Sequence, residues 1–383
     1  VKKRINLLRE FSIPLMTGVL LAMIWANRAP ESYQDFITFP LFGGISFHFI
    51  SNELFMTLFF GIAAAEITRS CLPGGDLNPI SKAVNPLLAT VGGVIGPVAV
   101  YILLARWWHA PELLRGWGIP TATDIAFAWL VARLVFGKRH PAVTYLLLLA
   151  IADDAVGLAI IAIFYPDPLL PVAPAWLLLT VGGMFASWFL RRLRVESYWP
   201  YLLIGGAFSW GGLSMAHLHP ALALVFVVPF LPAYRQKSHQ LFDVDTYSSP
   251  LSRFEHEWKV PVDFGLFLFG LANAGIGFSE IGLATWLVLT ALIVGKSIGI
   301  TLCGWIGSLL GFPLPKGVGP KELAIVGMVA GIGFTVALFI ASEAFNDQQL
   351  QGAAKMGALF SIIAAPMAWF MALLFGIRKI ERE

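Results

Sequence analysis

Stretches without a single charged side chain recur along this chain, at 83–105, 168–190, 264–279, 281–295, 297–315, 323–342 and 356–377. Most match or approach the roughly 20 apolar residues that cross a bilayer as one helix. A soluble chain carries about 25% charged residues, whereas these 383 residues are 13% charged and 57% hydrophobic. The stretch 197–234 is too long for one helix, and Pro200, Pro220 and Pro232, with "AHLHP" between them, divide it into two short ones. The pattern predicts an all-α integral membrane protein of about twelve transmembrane helices. They fall near 11–28, 54–70, 85–106, 119–136, 141–165, 172–191, 198–216, 218–232, 260–277, 283–303, 322–344 and 355–377.

Charge placement orients these helices. With a cytoplasmic amino terminus, only Arg28, Arg106, Arg115 and Lys355 of the 26 Lys and Arg fall outside, and Lys296 falls within the membrane. That is a positive-inside pattern, with both termini on the cytoplasmic side. The basic opening "VKKRINLLRE" could imitate a signal peptide, but the count favours an uncleaved first helix. The two cysteines, Cys71 and Cys303, imply no disulfide framework and no metal site. The net charge of +3 says little by itself, and no nucleic-acid partner is expected.

The whole chain, 1–383, is expected to form one integral domain, with its longest cytoplasmic connection at 233–259. On the outer side, "FPLFGGISFHFISNE" (39–53) alternates Ile45, Phe47 and Phe49 after a Gly-Gly turn and predicts a short β-hairpin. An isolated hairpin is marginal, so it is expected to lie on membrane lipids or to pair with a second subunit.

Two predicted spans contain helix-breaking sequence. "GWGIPTATDIAF" (116–127) mixes Gly, Pro, Thr and Asp into an apolar run, and "VAGIGFTVALFI" (329–340) sets Gly331, Gly333 and Thr335 in the middle of another. Irregular backbone at membrane depth is tolerated where it is buried or lines a watery cavity. Glycines that only permit close helix packing are the alternative.

The deep ionisable residues are few: Asp124, Asp153, Asp154, Lys296 and Asp263. A central Asp or Lys costs about 2.5–3.5 kcal/mol on insertion scales, so each needs an internal partner or a function. In "LAIADDAVGLAI" (149–160), Asp153 and Asp154 project about 100° apart on a helix and face two different partners. Such a pair titrates as a coupled unit and can exchange a proton for a cation. Asp124 can balance the positive amino ends of the broken helices, and Lys296 either the negative carboxyl ends or an aspartate. A static network of all four charges is the alternative, weakened because buried ion pairs add little net stability.

Taken in order, "GWGIPTATDIAFAWLVARLV", "LAIADDAVGLAIIAIFY", "HPALA", "EH", "LANAGI", "GKSIGI" and "GIGFTVALFIAS" resemble the NhaA-type Na+/H+ antiporters over nearly the whole chain. The resemblance implies an inverted-repeat antiporter fold with two interrupted, crossing helices near 119–136 and 322–344, and a short periplasmic β-hairpin. It implies Asp154 as the principal sodium and proton carboxylate, Asp153 as its partner, protonated or bridged to Lys296, and a Na+ site at Asp154, Asp153 and Thr123. Thr123 and Asp124 match the family's crossing-helix pair. Glu66, Arg69, His219, Glu255 and His256 match positions near a cytoplasmic funnel that the family ties to pH response. Departures are Glu53 where aspartate is usual, fewer charges around Glu66 and Arg69, Asp263, and Ser297 where proline is common.

The expected activity is therefore exchange of Na+ or Li+ for H+ across a bacterial inner membrane, electrogenic and pH-regulated, without a cofactor and without enzymatic chemistry. A homodimer through the 39–53 hairpin is expected. Three other readings compete. A sodium-coupled symporter of a small organic anion needs a larger polar cavity with an arginine. An intramembrane aspartyl protease needs carboxylates facing each other across one water. A channel needs a ring-like selectivity sequence.

Overall fold

The computed structural model describes residues 13–42, 45–75, 77–78, 80–166, 170–233, 249–377 and 379. Among them, five continuous helices are long and apolar enough to cross a membrane: Phe47–Cys71, Ala83–Trp107, Pro141–Phe164, Leu283–Leu309 and Gln348–Leu374. Two further pairs qualify as broken spans, Pro111–Thr121 with Ile125–Phe136, bent by 60°, and Pro320–Ala330 with Phe334–Ala344, bent by 51°. The described residues thus hold five to seven clear apolar spans.

Several expected boundaries move, each for a local reason. The helix expected from 355 begins at Gln348, because the Asp347 side chain accepts from the Leu350 amide and caps it. The helix expected from 260 begins at Pro250, capped by Ser249 on the Ser252 amide, so Glu255 and His256 lie in its first turns. The stretch 234–248 of the expected 233–259 connection lies outside the described residues, as does "VKKRINLLRE".

The expected hairpin over 39–53 is corrected in extent. Pro40–Phe42 and Ile45–Ser46 pair antiparallel, with Pro40 opposite Ser46 and Phe42 opposite Ile45. From Phe47 the chain is helical, because Ser46 Oγ accepts from the Phe49 amide and caps the turn. Phe47 and Phe49 therefore follow helical rather than alternating geometry.

A close helix crossing sets the position of the buried lysine. Gly92 and Gly96 of helix Ile80–Trp107 meet Gly295 and Gly299 of Leu283–Leu309. A methyl group on Gly299 would stand 1.9 Å from the Gly92 carbonyl oxygen, and one on Gly92 would stand 2.1 Å from that of Gly299. Two small-xxx-small pairs let the backbones touch, as close packing inside a membrane requires. Lys296 follows Gly295 directly and is carried into the centre of the molecule.

Candidate functional site

The two broken spans meet at their breaks, which place backbone ends rather than helix sides against each other. The Asp124 amide donates to Ile332 O at 2.7 Å, joining residues 122–124 to residues 331–333. A side chain on Gly333 would collide with Leu292 and crowd the Ala122 carbonyl, so glycine is what allows this approach.

Breaking two helices exposes four sets of unpaired backbone groups at depth. Asp124 serves the amino ends: its Oδ1 accepts from the Phe127 amide at 3.0 Å, and its Oδ2 accepts from Thr335 Oγ1 at 3.1 Å. The carboxyl ends meet donors. Lys296 Nζ donates to Thr121 O at 2.5 Å, and Thr123 Oγ1 lies 2.9 Å from Ala330 O. The partial charges of both breaks are thus matched by side chains of opposite sign or fitting polarity.

The adjacent aspartates of helix Pro141–Phe164 divide as their 100° separation demands. Asp153 Oδ2 accepts from Lys296 Nζ at 2.6 Å and from Thr123 Oγ1 at 2.7 Å, and both Asp153 and Lys296 are 0% exposed. Lys296 therefore touches both partners that the sequence left open, a helix carboxyl end and an aspartate. The Thr123 hydroxyl has one hydrogen, so it donates either to Asp153 or to Ala330 at any moment. Asp154 makes none of these bonds. Its Oδ1 is buried without a hydrogen-bond partner among the described residues.

Asp154 instead lines a cavity of about 720 Å3 together with Thr123, Asp124, Thr335 and, toward its mouth, Glu66, Arg69, Lys259 and Asp263. At that mouth Arg69 bridges Glu255 at 2.8 Å and Lys259 reaches Glu66 at 3.4 Å. Burial pushes the Glu255 carboxyl above its usual range, and the Arg69 guanidinium pulls it back. His256 belongs to the same helix turn and is exposed.

One expected grouping separates. His219 does not join Glu66, Arg69 and Glu255. Its Nε2 lies 3.2 Å from Glu343 Oε1 and 3.9 Å from Glu53 Oε1. Glu53 and Glu66 share helix Phe47–Cys71, and thirteen residues at 1.5 Å each put them about 20 Å apart. The histidine sits where the chain turns after helix Ala207–Met215, at the end opposite the cavity mouth.

Sequence reasoning passed over Thr335 as a partner of Asp124, although it had marked the residue in the break. It also passed over Lys259, Glu343 and the glycine crossing. The glycine spacing was legible; the Lys259 and Glu343 contacts join segments 193 and 124 positions apart.

These features agree with comparison to known proteins. The family model for Na+/H+ antiporter 1 matches residues 5–373. Na(+)/H(+) antiporter NhaA 1 of Pelobacter propionicus is 65% identical over 99% of this chain and 100% of its own length. Na(+)/H(+) antiporter NhaA of Geobacter sulfurreducens is 62% identical over 99% and 100% respectively. The solved sodium proton antiporter MjNhaP1 from Methanocaldococcus jannaschii shares the fold, with a TM-score of 0.56 at 15% identity, covering 94% of this chain and 91% of that one. With a match over nearly its whole length and relatives above 60% identity end to end, the chain belongs to the Na+/H+ antiporter 1 family.

Proposed function

We propose that this protein is a secondary transporter exchanging Na+, or Li+, for H+ by alternating access at Asp154. One observation carries the reading. Asp154 is a carboxylate at membrane depth that lines the cavity, with its Oδ1 buried and without a hydrogen-bond partner among the described residues, while Asp153 is absent from that lining and gives its Oδ2 to Lys296 and Thr123, its Oδ1 making no hydrogen bond among the described residues. Carboxylate, hydroxyl and carbonyl oxygens suit a small hard cation. A proton and a cation compete for the same oxygens, so binding one releases the other.

Asp153 supplies the second charge. Sodium drawn between Asp154 and Asp153, with Thr123 beside it, competes with Lys296 for Asp153 Oδ2. Loss of a second proton, from the Asp153–Lys296 pair and in addition to the one that leaves Asp154, would make the exchange of one Na+ move net charge. Each net charge then couples to the membrane potential at about 2.3 kcal/mol per 100 mV.

The same reading takes the chain as one domain of about twelve helices, arranged as inverted repeats around the two breaks, in a bacterial inner membrane. By the positive-inside pattern the cavity mouth at Glu66, Arg69 and Lys259 is cytoplasmic, as are both termini. Glu66, Arg69, Glu255 and His256 would tune the pH response from that mouth. A homodimer through the strands beginning at Pro40, and contact with lipid, complete the proposal.

The competing readings find no support. The arginine of the cavity, Arg69, is held by Glu255, and the central lysine, Lys296, is bonded to Asp153 and Thr121 O and is not part of the cavity lining, so neither is free to anchor an organic anion. The two aspartates diverge to different partners rather than facing each other across one water, which removes the protease. Proton flux in proteoliposomes given Na+, Li+ or K+ tests the proposal. Cation-driven proton release with Na+ and Li+ is expected, and its absence with all three cations sinks it.

A further inference from the structure

A small pocket of about 10 Å3, lined by Phe59, Phe60, Ala63, Asp154, Leu158 and Val336, adjoins the cavity and shares Phe59, Ala63, Asp154 and Val336 with its wall, room for about one water at most. Phe60 then meets Phe339 edge-on at 5.2 Å between ring centres, and Phe339 meets the His219 ring at 4.7 Å. A continuous line of contacts therefore leads from Asp154 to His219, whose Nε2 lies near both Glu53 and Glu343.

Helix Phe334–Ala344 connects the same two places. Thr335, Phe339 and Glu343 are spaced i, i+4, i+8 and share one face, with about 12 Å from Thr335 to Glu343. Thr335 holds Asp124, Phe339 blocks the line, and Glu343 takes the histidine. Glu53 Oε2 is buried without a hydrogen-bond partner among the described residues. Opposite Glu343, buried Lys355 donates to Gln351 at 3.2 Å and interacts electrostatically with Glu343 and Glu280. No group of three His, Cys, Asp or Glu among the described residues is arranged to hold a metal ion.

We propose that Glu343, with Glu53, lines the ion path on this closed face, drawing cations to it when the face opens, while His219 clasps both carboxylates when it is shut. The inference rests on the antiport reading and adds the residues that serve its second face. Glu343 acts by its charge on an approaching Na+ or H+, so it alters how readily ions arrive from one side only. Because both ions are drawn equally, the exchange equilibrium stays where it was.

The test uses membrane vesicles of both orientations carrying the full chain, with Na+-driven proton flux measured from each face. In Glu343→Gln, the apparent KM for Na+ from the closed face should rise about five- to tenfold, the size expected for losing one unit charge a few ångströms from a partly hydrated path. From the cavity face KM should stay unchanged, and Glu343→Asp should restore the closed-face value. Glu53→Gln should show the same one-sided rise, and it decides the matter should Glu343→Gln fail to accumulate. An unchanged closed-face KM, or an equal rise on both faces, overturns the proposal. Wild-type vesicles without Na+-driven flux would overturn the antiport reading itself, a separate and visible result.

Discussion

Lys296 and Asp153 form an ion pair 2.6 Å long in which neither side chain has any exposure. Withdrawing two charges from water costs several kcal/mol each, and their attraction seldom returns more than that. Thr123 and the Thr121 carbonyl supply the extra hydrogen bonds that make the pair tolerable. The arrangement stabilises the junction of the two broken spans, and it also leaves Asp154 as the carboxylate not committed to it.

Asp154→Asn should abolish Na+-dependent proton flux while the protein still inserts and folds. A buried amide costs less to bury than a carboxylate, so the Tm in detergent should hold or rise. Near-normal flux in this variant would remove Asp154 from the mechanism.

The lysine and its partner should behave non-additively. Lys296→Gln alone leaves Asp153 as an unpaired buried charge, with an expected cost of about 3–5 kcal/mol. The double change Asp153→Asn with Lys296→Gln removes both charges and should be markedly more stable than that single variant. If it transports, its flux should not respond to a potassium diffusion potential, whereas wild-type flux should. A double variant as voltage-sensitive as wild type sinks the electrogenic account.

The glycine crossing offers a test through packing alone. Gly299→Ala places a methyl group 1.9 Å from the Gly92 carbonyl, so the helices must separate at an expected cost of about 1–3 kcal/mol. Lys296 moves with its helix, and the KM for Na+ should rise together with the loss of Tm. Gly182→Ala, where a methyl group meets nothing within 4 Å, is the control and should leave both unchanged.

Competition between Na+ and H+ fixes the steepness of the pH response. If one proton competes with one Na+, the apparent KM for Na+ rises about tenfold per unit fall in pH on the acid side, and about a hundredfold if two protons compete. The slope measured in proteoliposomes therefore reports whether a second group beside Asp154 releases a proton. Arg69→Gln removes the charge that holds the Glu255 carboxyl down, so Glu255 should titrate at higher pH. If that residue tunes activity, the profile shifts alkaline by this change, and an unchanged profile assigns the pH response to the aspartates alone. Replacing His219 and His256 separately with Gln tests the two ends of the molecule, since His219 stands with Glu53 and Glu343 rather than at the mouth.

The sequence by itself determined that this chain lives in a membrane, that two of its spans break, and that Asp153 and Asp154 face different partners. These follow from local rules: hydropathy over about 20 residues, glycine and proline at the breaks, and 100° of rotation between neighbours on a helix. Those rules do not say which partner belongs to which aspartate. Asp153 meets Lys296 across 143 positions of chain, and the contact exists because Gly92 and Gly96 let helix Leu283–Leu309 approach to backbone distance. The same limit hid the separation of His219 from Glu255. Charged residues near helix ends look alike along the sequence, and only the packing of helix Phe47–Cys71, with Glu53 at one end and Glu66 at the other, decided which end of the molecule each belongs to.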